Sequence, residues 1–245
     1  MKIKVYPDPE ALSEEAARLF VAAARSSVQA RGRFVAALSG GSSPRQTYER
    51  LASAPFKTQV PWQQTYLFWG DERFVPPDSP QNNARTARAA LLDHVPIPSG
   101  HLFPVPTGGS PESAAGRYAS TLASFFEDDL PRFDLIFLGL GTNGHTASLF
   151  PGTDVLEEQS RWVAPVYLEG QDQYRITLTL PVINNAENIV FLAYGSSKAH
   201  VLQQVLEGAY RPEELPAQLV HPSEGNLFWL IDDEAAGNSR HPAIQ

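Results

Sequence analysis

Short apolar runs alternate along this chain with stretches whose apolar residues recur every three or four positions. The first kind predicts buried strands and the second amphipathic helices. Ile3–Tyr6 reads as a first strand. Asp8 reads as a helix cap with Pro9 in the first helical position. The helix carries Leu12, Ala16, Leu19, Phe20 and Ala23 on one face and runs out near Gly32. Phe34–Leu38 is an unbroken apolar strand that ends in Ser39-Gly40-Gly41. The next helix is expected from Ser43-Pro44 through Leu51, with Ser43 as its cap and Gln46 completing a capping box.

Tyr66–Trp69 is the third strand, followed by Gly70-Asp71-Glu72-Arg73 and a proline-rich loop. Asn83 is the expected cap of a helix bearing Ala87, Leu91 and Leu92. Pro96 to Pro111 reads as a long surface connection, and the next helix passes through Tyr118, Leu122 and Phe126. Leu135–Leu138 is the most strand-like segment. Later strands are expected at Trp162–Val166, Ile176–Leu180, Ile189–Ala193 and Leu227–Ile231, with a helix at Lys198–Leu206. Apolar strands alternating with amphipathic helices predict an α/β fold with a mainly parallel central sheet, covered by helices on both faces. A single domain over residues 1–245 is expected.

Composition narrows the function. The 245 residues include no cysteine, which removes disulfides and thiol nucleophiles. Nineteen basic against 27 acidic residues give a net charge of −8, which disfavours nucleic acid and anionic membranes as partners. The opening Met-Lys-Ile-Lys-Val-Tyr-Pro has no apolar targeting stretch. The expectation is a cytoplasmic protein, a monomer or a weak homo-oligomer.

Ligands of open parallel sheets bind beyond the carboxyl ends of the strands, and three polar clusters fall at such ends. Ser39-Gly40-Gly41-Ser42-Ser43-Pro44-Arg45 offers glycines for close approach and a helix N-terminus for an anion. It reads equally as a tight strand-to-helix turn with no ligand. Asp71-Glu72-Arg73 places three charges at a strand end. Arg73 can clamp a phosphate or carboxylate, and Asp71 can orient it or accept a sugar hydroxyl; a structural ion pair at a sheet edge is the alternative. Gly139-Leu140-Gly141-Thr142-Asn143-Gly144-His145 holds a histidine at the mouth of the sheet, suited to general-base work near neutrality. His94, His101, His200, His221 and His241 lack such an address. Lys198 opposes the dipole at a helix start, which points to an anionic ligand. Arg175 precedes a strand, as a ligand contact or as an exposed edge charge.

With these clusters in order, the chain resembles the 6-phosphogluconolactonases. The resemblance rests on Ser39–Arg45, Gly70–Pro76, Gly139–Gly152, Arg175–Ala186 and Gly195–Ala199. Gly144-His145-Thr146-Ala147-Ser148-Leu149-Phe150-Pro151 is its most specific part. Related glucosamine-6-phosphate deaminases share the Gly-His pair but continue differently. The resemblance implies a modified Rossmann-like fold, no metal, no organic cofactor and a phosphosugar lactone as substrate. The reaction implied is hydrolysis of 6-phospho-D-glucono-1,5-lactone, with His145 activating water. Catalytic roles are expected for His145, Arg73 and Asn143. Substrate contacts are expected from Gly40, Gly41, Ser42, Ser43, Asp71, Arg73, Gly144, Arg175 and Lys198, with backbone N–H groups of Gly139–Gly144 facing the oxyanion. The family usually has Asp where this chain has Asn143. The alternatives are an amino-sugar-phosphate deaminase or isomerase, with Asp71 working at C1–C2, and a non-catalytic phosphosugar sensor.

Overall fold

Every residue of the strand Phe34–Leu38 is buried, so the sheet around it is covered on both faces. The computed structural model describes residues 1–237. β1 (Lys2–Tyr6) leads into α1 (Pro9–Arg31), β2 (Phe34–Leu38), α2 (Ser42–Leu51) and the short α3 (Phe56–Gln59). Then come β3 (Thr65–Trp69), β4 (Asp71–Arg73), α4 (Asn83–Ala90), β5 (Leu102–Phe103), α5 (Pro111–Phe125) and β6 (Leu135–Gly139). The chain continues through β7 (Val163–Leu168), β8 (Gln173–Leu178), α6 (Leu180–Asn184) and β9 (Asn188–Ala193). It ends in α7 (Ala199–Glu207), β10 (Asn226–Asp232) and α8 (Asp233–Ala236). Among the described residues no helix is long and apolar enough to cross a membrane.

Seven strands form one parallel sheet in the order β1-β10-β9-β6-β2-β3-β5, as expected of the α/β pattern. From β2 the chain steps outward to β3 and β5. It then returns to the other side of β2 with β6 and moves on to β9 and β10. A crevice forms where strand order reverses, and the loops flanking it here follow β2 and β6.

β4, β8 and β7 form a separate antiparallel sheet. This corrects the placing of the segments near 162–166 and 176–180 in the parallel sheet, and adds a strand at Asp71–Arg73, which the sequence marked only as the end of β3. The physical reason is the connection. Only Glu169–Asp172 separates β7 from β8, whereas a parallel crossover needs about a dozen residues. Gly70 joins the two sheets: its N–H donates to the Leu38 carbonyl at 2.8 Å, and its carbonyl accepts from Leu178 N at 2.8 Å.

Local details follow from caps. Asp8 accepts from Ala11 N at 2.8 Å and opens α1. Its buried stripe is Leu12, Ala16, Phe20 and Ala24 with Ser13, Ala17 and Val21; Leu19 and Ala23 sit half-buried at the margin. α4 is capped by Asn82, not Asn83, through a bond to Arg85 N at 2.8 Å. α5 stops at Phe125 and leaves Phe126 as its C-cap. The Pro96–Pro111 connection contains β5, which extends the sheet beyond β3. Lys198 lies in a short 3-10 turn before α7 rather than inside the helix. His241 lies outside the described residues.

Two tyrosines finish the strands that feed the crevice. The Tyr48 hydroxyl donates to the Ser39 carbonyl at 2.7 Å and accepts from Ser39 N at 3.0 Å. The Tyr118 hydroxyl does the same for Trp69, at 2.8 and 2.9 Å. Both rings are fully buried. A buried backbone group without a partner is costly. Tyr118→Phe is therefore expected to destabilise the protein by about 1–3 kcal/mol. The denaturant midpoint should fall at unchanged slope.

Candidate active site

A cavity of about 340 Å³ opens between the loops that follow β2 and β6. Its first wall is the segment from Ser39 to Pro44. α2 begins at Ser42, its N-cap is Gly41 at φ 103°, and no side chain caps it. This corrects the capping assignment to Ser43. The Gln46 side chain accepts from Ser13 at 3.5 Å instead of completing a capping box. An uncapped helix start has N–H groups and partial positive charge to offer an anion. Gly40 is required by a neighbour: a Cβ there would lie 1.9 Å from Asn83 Oδ1.

Asn83 lines the cavity too, and the sequence reading missed it as a site residue. Its Nδ2 donates to the Asp71 carbonyl at 2.9 Å. Glu72 fixes it from behind. That carboxylate, with no exposed surface, accepts from Arg73 N, Asn83 N and Ala84 N at 2.9, 2.7 and 3.0 Å. Burial pushes the Glu72 pKa up to about 7, against the pull of the backbone N–H groups.

The second wall carries His145. Asn143 Oδ1 meets His145 Nδ1 at 2.5 Å and the His145 backbone N at 3.3 Å. A backbone N–H only donates, so the amide oxygen faces the ring and Nδ1 carries the proton. Nε2 is then the unprotonated nitrogen. The ring stacks on Phe150, with centroids 4.0 Å apart. A Cβ on Gly141 would lie 2.0 Å from Nδ1, so that glycine makes room for the imidazole. Burial drives the His145 pKa down to about 4, helped by Arg175, Lys198 and Arg73. The ring is neutral at pH 7.

The third wall is one face of the small sheet. Asp71 and Arg73 alternate along β4, opposite Thr177 and Arg175 of β8. Asp71 is buried, and its Oδ2 accepts from the Ser148 hydroxyl at 2.7 Å; burial raises its pKa. Arg73 donates to the Gln81 carbonyl at 2.9 Å, and Arg175 to Gln171 Oε1 at 2.6 Å. The edge ion pair held open as the alternative is not formed. Among the described residues Arg73, Arg175 and Lys198 make no ion pair at all. Lys198 reaches the cavity from the turn after β9, its pKa lowered by burial.

Most of the residues expected at the site do gather around this cavity. Asn143 stands behind the histidine instead. Gly144 is not at the cavity: it is buried against Leu215, its N–H donating to the Gly141 carbonyl and its carbonyl accepting from Ala217 N. Ser39 and Gln171 are further lining residues. Ser39 was visible only as part of its loop, and Gln171 had no signal, since the hairpin connection that holds it was not read from the sequence. His94 and His101 bond to backbone carbonyls and His200 and His221 are exposed, all away from the cavity. Among the described residues no three His, Cys, Asp or Glu side chains converge in a metal-binding group.

A family model for glucosamine-6-phosphate isomerases/6-phosphogluconolactonase matches residues 7–229. A 6-phosphogluconolactonase of Synechocystis sp. is 44% identical over 214 residues, 86% of each chain. The solved 6-phosphogluconolactonase of Trypanosoma brucei superposes with a TM-score of 0.83 at 30% identity, covering 97% of this chain and 98% of that one. A monomeric glucosamine-6-phosphate deaminase superposes at 0.82 with 23% identity, covering 97% of this chain and all of that one, a likeness of fold alone.

The imidazole gives a direct test. Its NMR titration should have a midpoint near the low value of about 4, with the neutral ring above it. Asn143→Asp puts a negative charge on Nδ1 and favours the imidazolium. The midpoint should then move up by about 1–3 pH units.

Proposed function

Because the chain belongs to the glucosamine-6-phosphate isomerase/6-phosphogluconolactonase family, we propose a mechanism for lactone opening built on its own residues. The chain is a lactone hydrolase. It opens the ring of 6-phosphogluconolactone to 6-phosphogluconate. The observation that carries the mechanism is a neutral imidazole, locked by Asn143 with Nε2 unprotonated, beside three cations that make no ion pair among the described residues.

Neutral His145 takes a proton from water through Nε2 as the water attacks C1. The imidazolium then gives that proton to the departing ring oxygen. Ser148 is no rival nucleophile, because it is fully buried and its hydroxyl donates to Asp71. The phosphate lies on the uncapped start of α2, between Arg73 and Lys198. It takes no part in bond breaking, so its binding energy serves positioning. Asp71 accepts a sugar hydroxyl. Loop N–H groups contribute less to the oxyanion than the sequence suggested: Gly141 N is bonded to the His145 carbonyl at 2.8 Å and Gly144 N to the Gly141 carbonyl at 3.0 Å.

The test is hydrolysis of freshly made 6-phosphogluconolactone, corrected for spontaneous opening, with chelator present. His145→Ala should slow the catalysed step by about 10²–10⁴-fold. Near-normal turnover in that variant would sink the mechanism. Ammonia release from glucosamine-6-phosphate would favour the deaminase, and tight 6-phosphogluconate binding without hydrolysis a sensor. Lys198→Ala should raise KM far more than it lowers kcat. An unchanged KM would remove Lys198 from the phosphate site.

A further inference from the structure

Arg73 and Arg175 stand directly opposite each other across the antiparallel ladder of β4 and β8. Like charges in that relation repel, and neither has an ion-pair partner among the described residues. Asp71 is close enough for both to feel its charge, but its Oδ2 is occupied by Ser148. A local rule broken at a cavity wall points to a ligand.

The two guanidiniums differ. Arg73 is half-buried and tied to the rim through Gln81. Arg175 is 8% exposed, a costly place for a charge without a counter-ion. Its Nη2 is held by Gln171, and its Nε is buried without a partner among the described residues. That leaves the Nη1 corner for the cavity. Of the three cations, Arg175 also acts most strongly on the His145 ring, ahead of Lys198 and Arg73. Two backbone donors near His145 are spent inside their own loop, which reduces what that loop can offer the reacting carbonyl.

We infer that Arg175, steered by Gln171, binds the C1 oxygen of the lactone during attack and the product carboxylate afterwards, leaving Arg73 and Lys198 to the phosphate. The inference rests on the lactonase reading above. Attack forms the bond between water oxygen and C1 and moves the carbonyl π pair onto the oxygen facing Arg175. Return of that pair breaks the bond from C1 to the ring oxygen, which takes the proton held on His145. The new carboxylic acid then ionises against the same guanidinium, a charge-assisted and potentially bidentate contact.

Two ligands separate the assignments. 6-Phosphogluconate and glucitol 6-phosphate share phosphate and carbon chain, and differ in having a carboxylate or a hydroxymethyl group at C1. Calorimetry on Arg175→Met should show binding of 6-phosphogluconate weakened by about tenfold or more, with glucitol 6-phosphate nearly unchanged. The kcat on the lactone should fall by about 10²–10³-fold. Lys198→Met, the phosphate-side control, should weaken both ligands. Gln171→Glu keeps the oxygen that Arg175 uses but sets a carboxylate against the guanidinium. It should reproduce the selective loss at wild-type thermal stability, and it serves if Arg175→Met fails to fold. Equal weakening of both ligands in the Arg175 and Gln171 variants would assign Arg175 to the phosphate and overturn the inference. So would unchanged binding of both. Failure of the wild-type protein to open the lactone is a separate result, and would overturn the function itself.

Discussion

Three backbone N–H groups converge on the carboxylate of Glu72, a side chain with no exposed surface. One of them belongs to β4 and two to the start of α4, so a single side chain fastens the small sheet to the large domain face. Removing it would leave three backbone donors without their partner, a costly change. Its consequences reach the cavity in two directions. Toward α4 it sets Asn83 under Gly40, and so the floor of the anion loop. Toward β4 it holds the Arg73 N–H, beside the ladder that puts Arg73 across from Arg175. The Gly70 hinge and the Tyr48 and Tyr118 clamps complete the frame by ending β2 and β3 at the crevice.

That frame holds an electrostatic arrangement which the fold alone would not favour. The chain as a whole carries −8, yet three cations without ion pairs among the described residues face one small cavity. A local positive field in an acidic protein selects small anions while the surface turns away polyanions. The same field shapes the base. Burial and the three cations together hold His145 neutral, so a proton-accepting nitrogen is present without help from a carboxylate on Nδ1.

The large sheet was legible because its strands are short apolar runs and its first helix has an acid cap with proline behind it. The small sheet was not, because β4 is written in charged residues, Asp71-Glu72-Arg73, and reads as the end of β3. Its strand character comes from pairing with β8, which no local pattern reveals. The candidate site was legible where glycine marks a strand end. The reason for two of those glycines was not. Gly40 was read as close backbone approach to an anion and Gly141 only as part of a Gly-rich strand end, whereas each makes room for a side chain, Asn83 or His145. Asn83 stayed hidden because its neighbours Gly40, Asp71 and Glu72 meet it only in the folded chain, and Gln171 because its partner Arg175 is reached across a hairpin that was not read from the sequence.

Asn143 now finds a physical place. A carboxylate on Nδ1 would pull against the cations and favour the imidazolium, while an amide only orients the ring. The resulting base is weak, with a pKa of about 4, and a weak base accepts a proton reluctantly. On the proposed placement, a phosphate bound among Arg73, Lys198 and the start of α2 would remove part of the cause, since its charge would offset cations that depress the imidazole. The burial contribution remains. On that placement basicity at Nε2 would rise as the anion arrives, so proton-accepting strength would be greatest in the state that also holds the lactone over the histidine.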